Sequence, residues 1–120
     1  MGQYRRTEVL FINFGPNHPD TLATRNNLAA ALYAQEKFAE AEKLHRATLD
    51  GAEKVFGPAH PDVFLSCANI AMCLQSQGKK SEALAFARRA LAGWRKTLGE
   101  DHPRTKRVRL IVQELAAGKE

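Results

Sequence analysis

Cysteine is scarce in this chain: Cys67 and Cys73 are the two present among 120 residues. Six positions apart on one helix, they would lie roughly 9 Å apart along its axis. An intrachain disulfide needs Cα atoms within about 7 Å, so two free thiols are expected. Free thiols fit a reducing compartment, and a cytoplasmic location is the corresponding expectation. No apolar run approaches the roughly 20 residues that a membrane span requires. The opening stretch, MGQYRRTEVLFINFG, has a short apolar patch and no small-residue cleavage site, so it does not read as a signal peptide. Arg6 stands where a myristoylation motif wants Ser or Thr.

Catalytic signatures are missing as well. There is no phosphate-cradling glycine loop, no HExxH and no GxSxG. No enzyme activity and no cofactor are expected. The basic residues lack interleaved aromatics for base stacking, and no nucleic-acid-binding motif is present. A nucleic-acid partner is therefore not expected, nor is a membrane.

What is present is a period. GPNHPD at 15–20 returns as GPAHPD at 57–62, and GEDHPR follows at 99–104. Residues 15–56 and 57–98 align without a gap and are identical at 16 of 42 positions. The chain divides into a remnant of a preceding unit (1–14), a first repeat (15–56), a second repeat (57–98) and a half repeat (99–120). Repetition at this length points to a stacked architecture in which each unit buries its face on the next.

Each full repeat reads as two helices. In the first, 19–35 carries Leu28, Ala31 and Leu32, the i, i+3, i+4 stripe of a helix with one buried face. Residues 38–56 continue through Ala41, Leu44, Thr48, Leu49 and Val55. The second repeat does the same at 61–77 and 80–97. The last segment, 103–117, has Val108, Ile111, Val112 and Leu115 on one stripe, while Leu110 departs from a solvated face. No strand pattern appears. The expected fold is all-α, a right-handed superhelical stack of antiparallel helix pairs with five main helices plus an N-terminal remnant helix.

The three repeated histidines, His18, His60 and His102, invite a metal reading. Successive repeats lie at least one helix-packing distance apart, ~8–10 Å, whereas zinc holds nitrogen at ~2.0–2.1 Å. No metal site is expected. Each histidine precedes a proline, which favours an extended backbone. That suits an N-cap, with Pro19, Pro61 and Pro103 at the first helical position. Asp20 and Asp62 then complement the helix dipole. Gly15, Gly57 and Gly99 end the preceding helices. His45 reads as a packed or half-exposed side chain. In the turn inside each repeat, Gly78 suits a left-handed backbone. Glu36 at the matching place should cost roughly 1 kcal/mol. Gly51 and Gly93, inside second helices, imply close approach of a neighbouring helix, and Trp94 should cover the last helix.

Tandem helix pairs with Leu28-Ala29 followed by Ala41, and Ile70-Ala71 followed by Ala83, resemble the tetratricopeptide repeat. The 42-residue period, the RNNLA asparagine pair and the FGPxHPD linker are similar to the longer variant found in kinesin light chains. The resemblance implies a scaffold whose first helices line a concave groove that binds extended peptides. Carried onto this sequence, it places Asn26, Asn27, Ala30 and Tyr33 in the groove from the first repeat, beside Ala23. Leu65, Asn69, Met72 and Gln75 follow from the second, with Ala68. Arg107 comes from the last helix, with Leu110, Ile111 and Glu114. Asn27 and Asn69 are the implied backbone clamps, since an amide donates to a peptide carbonyl and accepts from its N–H.

Charge adds a direction. The first 60 residues hold seven basic and seven acidic side chains; the last 60 hold eleven and six. Arg104, Lys106, Arg107 and Arg109 open the final helix, where positive charge opposes the dipole. The expectation is an acidic peptide held chiefly by Arg107, with Arg88 and Arg89 as neighbours. The alternative is structural: a piece of a longer array, or a module that self-associates through the ends of its stack.

Overall fold

The computed structural model describes residues 18–117. The remnant at 1–14 and Gly15 lie outside the described residues. Five helices follow one another: α1 (Pro19–Ala34), α2 (Phe38–Phe56), α3 (Pro61–Ser76), α4 (Lys80–Thr97) and α5 (Pro103–Ala117). Among the described residues there is no strand. Each helix packs on its sequence neighbours, α1 on α2, α2 on α3, α3 on α4 and α4 on α5. The fold is all-α, a solenoid of helix pairs.

The linkers show why the period exists. His18 and His60 are extended, with φ/ψ of −64/141° and −81/141°. Each imidazole is itself the cap. The Asp20 backbone N–H donates to His18 Nδ1 at 3.0 Å, Asp62 to His60 Nδ1 at 3.1 Å and Arg104 to His102 Nδ1 at 3.1 Å. One orphan donor of each helix start is thereby satisfied. Stacking of the Phe56 and His60 rings, with centroids 4.4 Å apart, fixes the second linker on the end of α2.

Inside the repeats, the two turns are superimposable in their bonding. Lys37 N–H donates to Leu32 O and Lys79 N–H to Leu74 O, both at 2.9 Å. The pivot is left-handed in each, at Gly78 (φ 80°) and at Glu36 (φ 64°). Glu36 therefore adopts a conformation that disfavours a side chain.

One core runs through the second repeat and α5. Its fully buried members include Val63, Ile70, Leu74, Ala83, Ala87 and Ala90. A smaller cluster, built on Leu28, Ala29, Leu32 and Ala41, holds α1 to α2. Small residues at Ala29, Ala71, Ala41 and Ala83 are all fully buried, so the paired helices approach closely. Gly93 does the same at one point: a Cβ there would fall 2.3 Å from the Phe64 ring. Trp94 is 3% exposed. Its indole N–H donates to Pro61 O at 3.1 Å, and it packs in the same cluster as Val108 of α5.

Two side chains depart from the sequence pattern. Val55 was expected on the buried stripe of α2 but is 42% exposed. His45, Thr48, Leu49 and Ala52 define the buried face; Val55 keeps their spacing, three residues after Ala52, but falls in the last turn of α2, which ends at Phe56. Leu110 is 63% exposed on α5. The helices also end at Ala34 and Ser76, with Gln35 and Gln77 as their caps.

Candidate functional site

The first helices of the units, α1, α3 and α5, line two hollows that meet. The first, of about 320 Å³, lies between α1 and α3 and is lined by Asn26, Asn27, Ala30, Tyr33, His45, Asn69 and Met72. The second, of about 240 Å³, lies between α3 and α5. Leu65, Ala68, Trp94, Val108 and Ile111 give it an apolar wall, and Arg104 and Arg107 are its cations. Asn69 and Met72 line both hollows. The two hollows therefore adjoin along α3.

Helical spacing makes this arrangement. Residues 26, 27, 30 and 33 share one face of α1; residues 65, 68, 69 and 72 share one face of α3; residues 104, 107, 108 and 111 share one face of α5. Ten of the fourteen groove residues expected from the sequence lie in the two linings. Gln75 and Glu114 do not; the Gln75 side-chain amide instead donates to Glu114 Oε1 of α5 at 3.4 Å. Ala23 belongs to a third hollow of about 170 Å³ with Leu22, Asn26 and Leu65. Leu110 lies in none of these linings.

Hydrogen bonding sorts the polar groups. Asn26 Oδ1 lies 3.0 Å from His45 Nδ1. This imidazole is 4% exposed, and burial pushes its pKa down to about 4. It is neutral, and Nδ1–H donates to the amide oxygen. Tyr33 is held across the groove by its hydroxyl, 2.9 Å from Ser76 Oγ, and edge-on to Phe38 with ring centroids 4.9 Å apart. Asn27 and Asn69 take no part in these side-chain bonds, and both residues line the first hollow.

Four lining residues escaped the sequence reading as groove positions: His45, Trp94, Arg104 and Val108. A signal existed for two of them. Arg104 is three positions before Arg107, hence on its face. His45 matches Ala87 by the 42-residue offset, just as Asn26 matches Ala68. A polar pair in one repeat is an apolar pair in the other. Arg88 and Arg89 do not join Arg107. Arg89 pairs with Glu53 of α2, and Arg88 lies on a separate edge between α4 and α5.

Both cysteines are free and buried. Burial pushes each thiol up to about 11, so neither is a ready nucleophile.

Stacked helix pairs with adjoining hollows along their first helices define a helical-repeat module. Comparison with known proteins gives the family. The tetratricopeptide repeat model matches residues 10–54 and 20–96, and the chain belongs to the tetratricopeptide repeat family. Such repeats mediate protein–protein interaction. The fold is similar to a crystal structure of Podosopora anserina kinesin light chain-type protein with nearly identical TPR-like repeats. That match has a TM-score of 0.86 at 23% identity over 94% of this chain and 54% of the other. The crystal structure of a single-substitution variant of that protein matches with a TM-score of 0.87 at 22% identity, over 94% and 53%. The chain thus spans about half the length of these structures. A search of curated proteins finds no match.

Proposed function

We propose that this chain is a scaffold module that binds an extended, acidic peptide segment of another protein along the α1–α3–α5 groove. The observation that carries this reading is the sharing of Asn69 and Met72 by both hollows, which gives an extended chain one uninterrupted path. Asn27 and Asn69 clamp the peptide backbone, each able to donate to a carbonyl and accept from an N–H. Tyr33, Leu65 and Met72 supply apolar contact. Arg107 and Arg104 attract acidic side chains at the α5 end. No chemistry is performed on the ligand; the module holds it, in the cytoplasm.

A peptide selected against the intact chain from a display library tests the proposal. Replacing both clamps, Asn27→Ala with Asn69→Ala, should weaken it by at least ~1 kcal/mol, the scale of lost hydrogen bonds. Unchanged affinity removes the clamp. Affinity should also fall as salt is raised from about 0.1 to 1 M, because the Debye length shrinks from roughly 10 to 3 Å. A salt-insensitive peptide would remove the acidic requirement.

A further inference from the structure

Below the concave groove, α1 and α3 meet the second half of α2 around the third hollow, of about 170 Å³. Leu22, Ala52, Phe56 and Leu65 give it apolar walls, while Asn26, Thr48, Asp62 and Ser66 give it polar ones. It shares Asn26 with the first hollow and Leu65 with the second, so it adjoins both.

The second repeat shows what this position needs for packing alone. Forward by 42 residues, Ala52 becomes Trp94, Asn26 becomes Ala68, Thr48 becomes Ala90, Asp62 becomes Arg104 and Ser66 becomes Val108. There the Trp94 indole packs in one cluster with Val108 and Ala90, and donates to Pro61 O. The second unit fills the place with a ring and surrounds it with apolar side chains. The first unit has a methyl group instead of the ring, and polar groups around it. The stack requires none of those polar groups, because its own copy lacks them.

Two of the four are already bonded. Thr48 Oγ1 donates to Leu44 O at 3.0 Å, and Asn26 Oδ1 accepts from His45. Ser66 differs. It is 1% exposed, and its hydroxyl has no hydrogen-bond partner among the described residues. A helical serine can bond the carbonyl four residues back; this one does not, and an unbonded buried hydroxyl is costly. Asp62 lies four residues earlier, on the same face of α3. Its side chain is half-exposed. His60 Nδ1 accepts the Asp62 N–H, so it carries no proton toward the carboxylate 3.9 Å away and is not its counter-ion. Among the described residues that line the hollow, Asp62 alone is charged.

We propose that this hollow is a lysine subsite, which receives one side chain of the peptide held in the groove. The subsite rests on the peptide-binding reading of that groove. The methylene stem runs along Leu22, Ala52 and Leu65, as long cationic side chains do on apolar surface. The ammonium meets Asp62. Its remaining donors meet the Ser66 hydroxyl and the second lone pair of Asn26 Oδ1, which matches three donors to three acceptors. A guanidinium is a flat fork suited to paired oxygens of one group, whereas these acceptors come from separate side chains. Asp62 and Arg104 occupy equivalent places with opposite charge. The partner segment therefore carries a lysine toward the α1–α3 end and acidic residues toward α5.

The peptide selected from a display library against the intact chain tests this, and it should carry lysine at one fixed position. That lysine is replaced by norleucine, which keeps the stem and removes the charge. Both forms are titrated by anisotropy against the native chain, Asp62→Asn and Ala52→Trp. The norleucine form should bind the native chain about tenfold more weakly, and the ratio should fall to near one in Asp62→Asn. Ala52→Trp imports the ring of the second unit and should erase the preference too. Asp62 is half-exposed, so its variant keeps the test decisive if the tryptophan variant fails to fold. n-Butylammonium, the side chain without its peptide, is titrated separately by NMR. It should shift the Ala52 methyl resonance in the native chain and not in Asp62→Asn. Selected peptides without a fixed lysine, arginine in its place, equal affinities of the two forms, or a preference that survives Asp62→Asn would overturn the subsite and leave the groove standing. Failure to select any peptide would overturn the groove reading. An Asp62-dependent n-butylammonium shift would then still support an ammonium site, and no shift would overturn that as well.

Discussion

The two repeats share a backbone plan but fill it differently. Where the first holds Asn26 against His45, the second has Ala68 and Ala87. Each solution is locally complete. The first hydrogen-bonds a buried imidazole to an amide; the second buries two small apolar residues. Their consequence is a groove that changes character along its length, polar between α1 and α3, then apolar and cationic between α3 and α5. Identical units would give a uniform surface. The departures from the period are therefore where the linings of the two hollows come to differ.

The largest effect should come from the closest approach. Gly93→Ala places a Cβ 2.3 Å from the Phe64 ring, and overpacking of this kind costs about 3 kcal/mol. Urea denaturation should show that loss as a lower midpoint with an unchanged slope. A cost near zero would mean that α3 and α4 can slide apart.

The polar pair of the first repeat should make stability depend on pH. His45 is held near a pKa of about 4, below its ordinary 6.5, by burial. Its folded form stays neutral while the unfolded imidazole takes up a proton. Stability should be unaffected above about pH 6.5 and fall between there and about 4. The total loss approaches 3 kcal/mol by linkage. Chemical denaturation at pH 7, 5.5 and 4.5 measures this. The double change Asn26→Ala with His45→Ala imports the second repeat's solution and should remove this part of the dependence. Asn26→Ala alone should destabilise at pH 7, by about 1–3 kcal/mol, because it leaves the imidazole N–H without its acceptor.

The two turns sharpen the comparison at a smaller scale. Glu36→Gly should stabilise by about 1 kcal/mol and Gly78→Ala should destabilise by a similar amount, since both positions are left-handed. Opposite signs in thermal melts are the expected result. The smallest effect belongs to the partly exposed ion pair between α2 and α4. Arg89 and Glu53 are each more than a third exposed, so Glu53→Gln should cost no more than about 1 kcal/mol.

Much of this molecule was legible before its structure. The 42-residue period located all five helices, the capping role of the linkers and the strained Glu36, because backbone requirements recur with the repeat. The residues that line the hollows on α1 and α3 were reached only through the resemblance to the tetratricopeptide repeat, which implies a groove along the first helices. What escaped depended on side chains meeting across helices. Asn26 and Ala68 were visible as a difference, but the reason lay on α2 and α4, at His45 and Ala87. Val55 followed the phase of the buried stripe but sits in the last turn of α2, where it is exposed. Trp94 was legible as cover for α5, yet its place in the wall of the second hollow depends on its contacts with Pro61 and Val108 across helices. Arg88 looked like a neighbour of Arg107 because both are basic and late in the chain; the fold sends them to different surfaces.

A methyl and indole NMR titration with the display-selected peptide tests the groove most directly. Met72 lines both hollows and Trp94 the second, whereas Leu91 and Val112 line the opposite edge. The account predicts that saturating peptide shifts the Met72 methyl and the Trp94 indole resonances and leaves the Leu91 and Val112 methyls in place. Shifts confined to Leu91 and Val112, with Met72 unmoved, would contradict it.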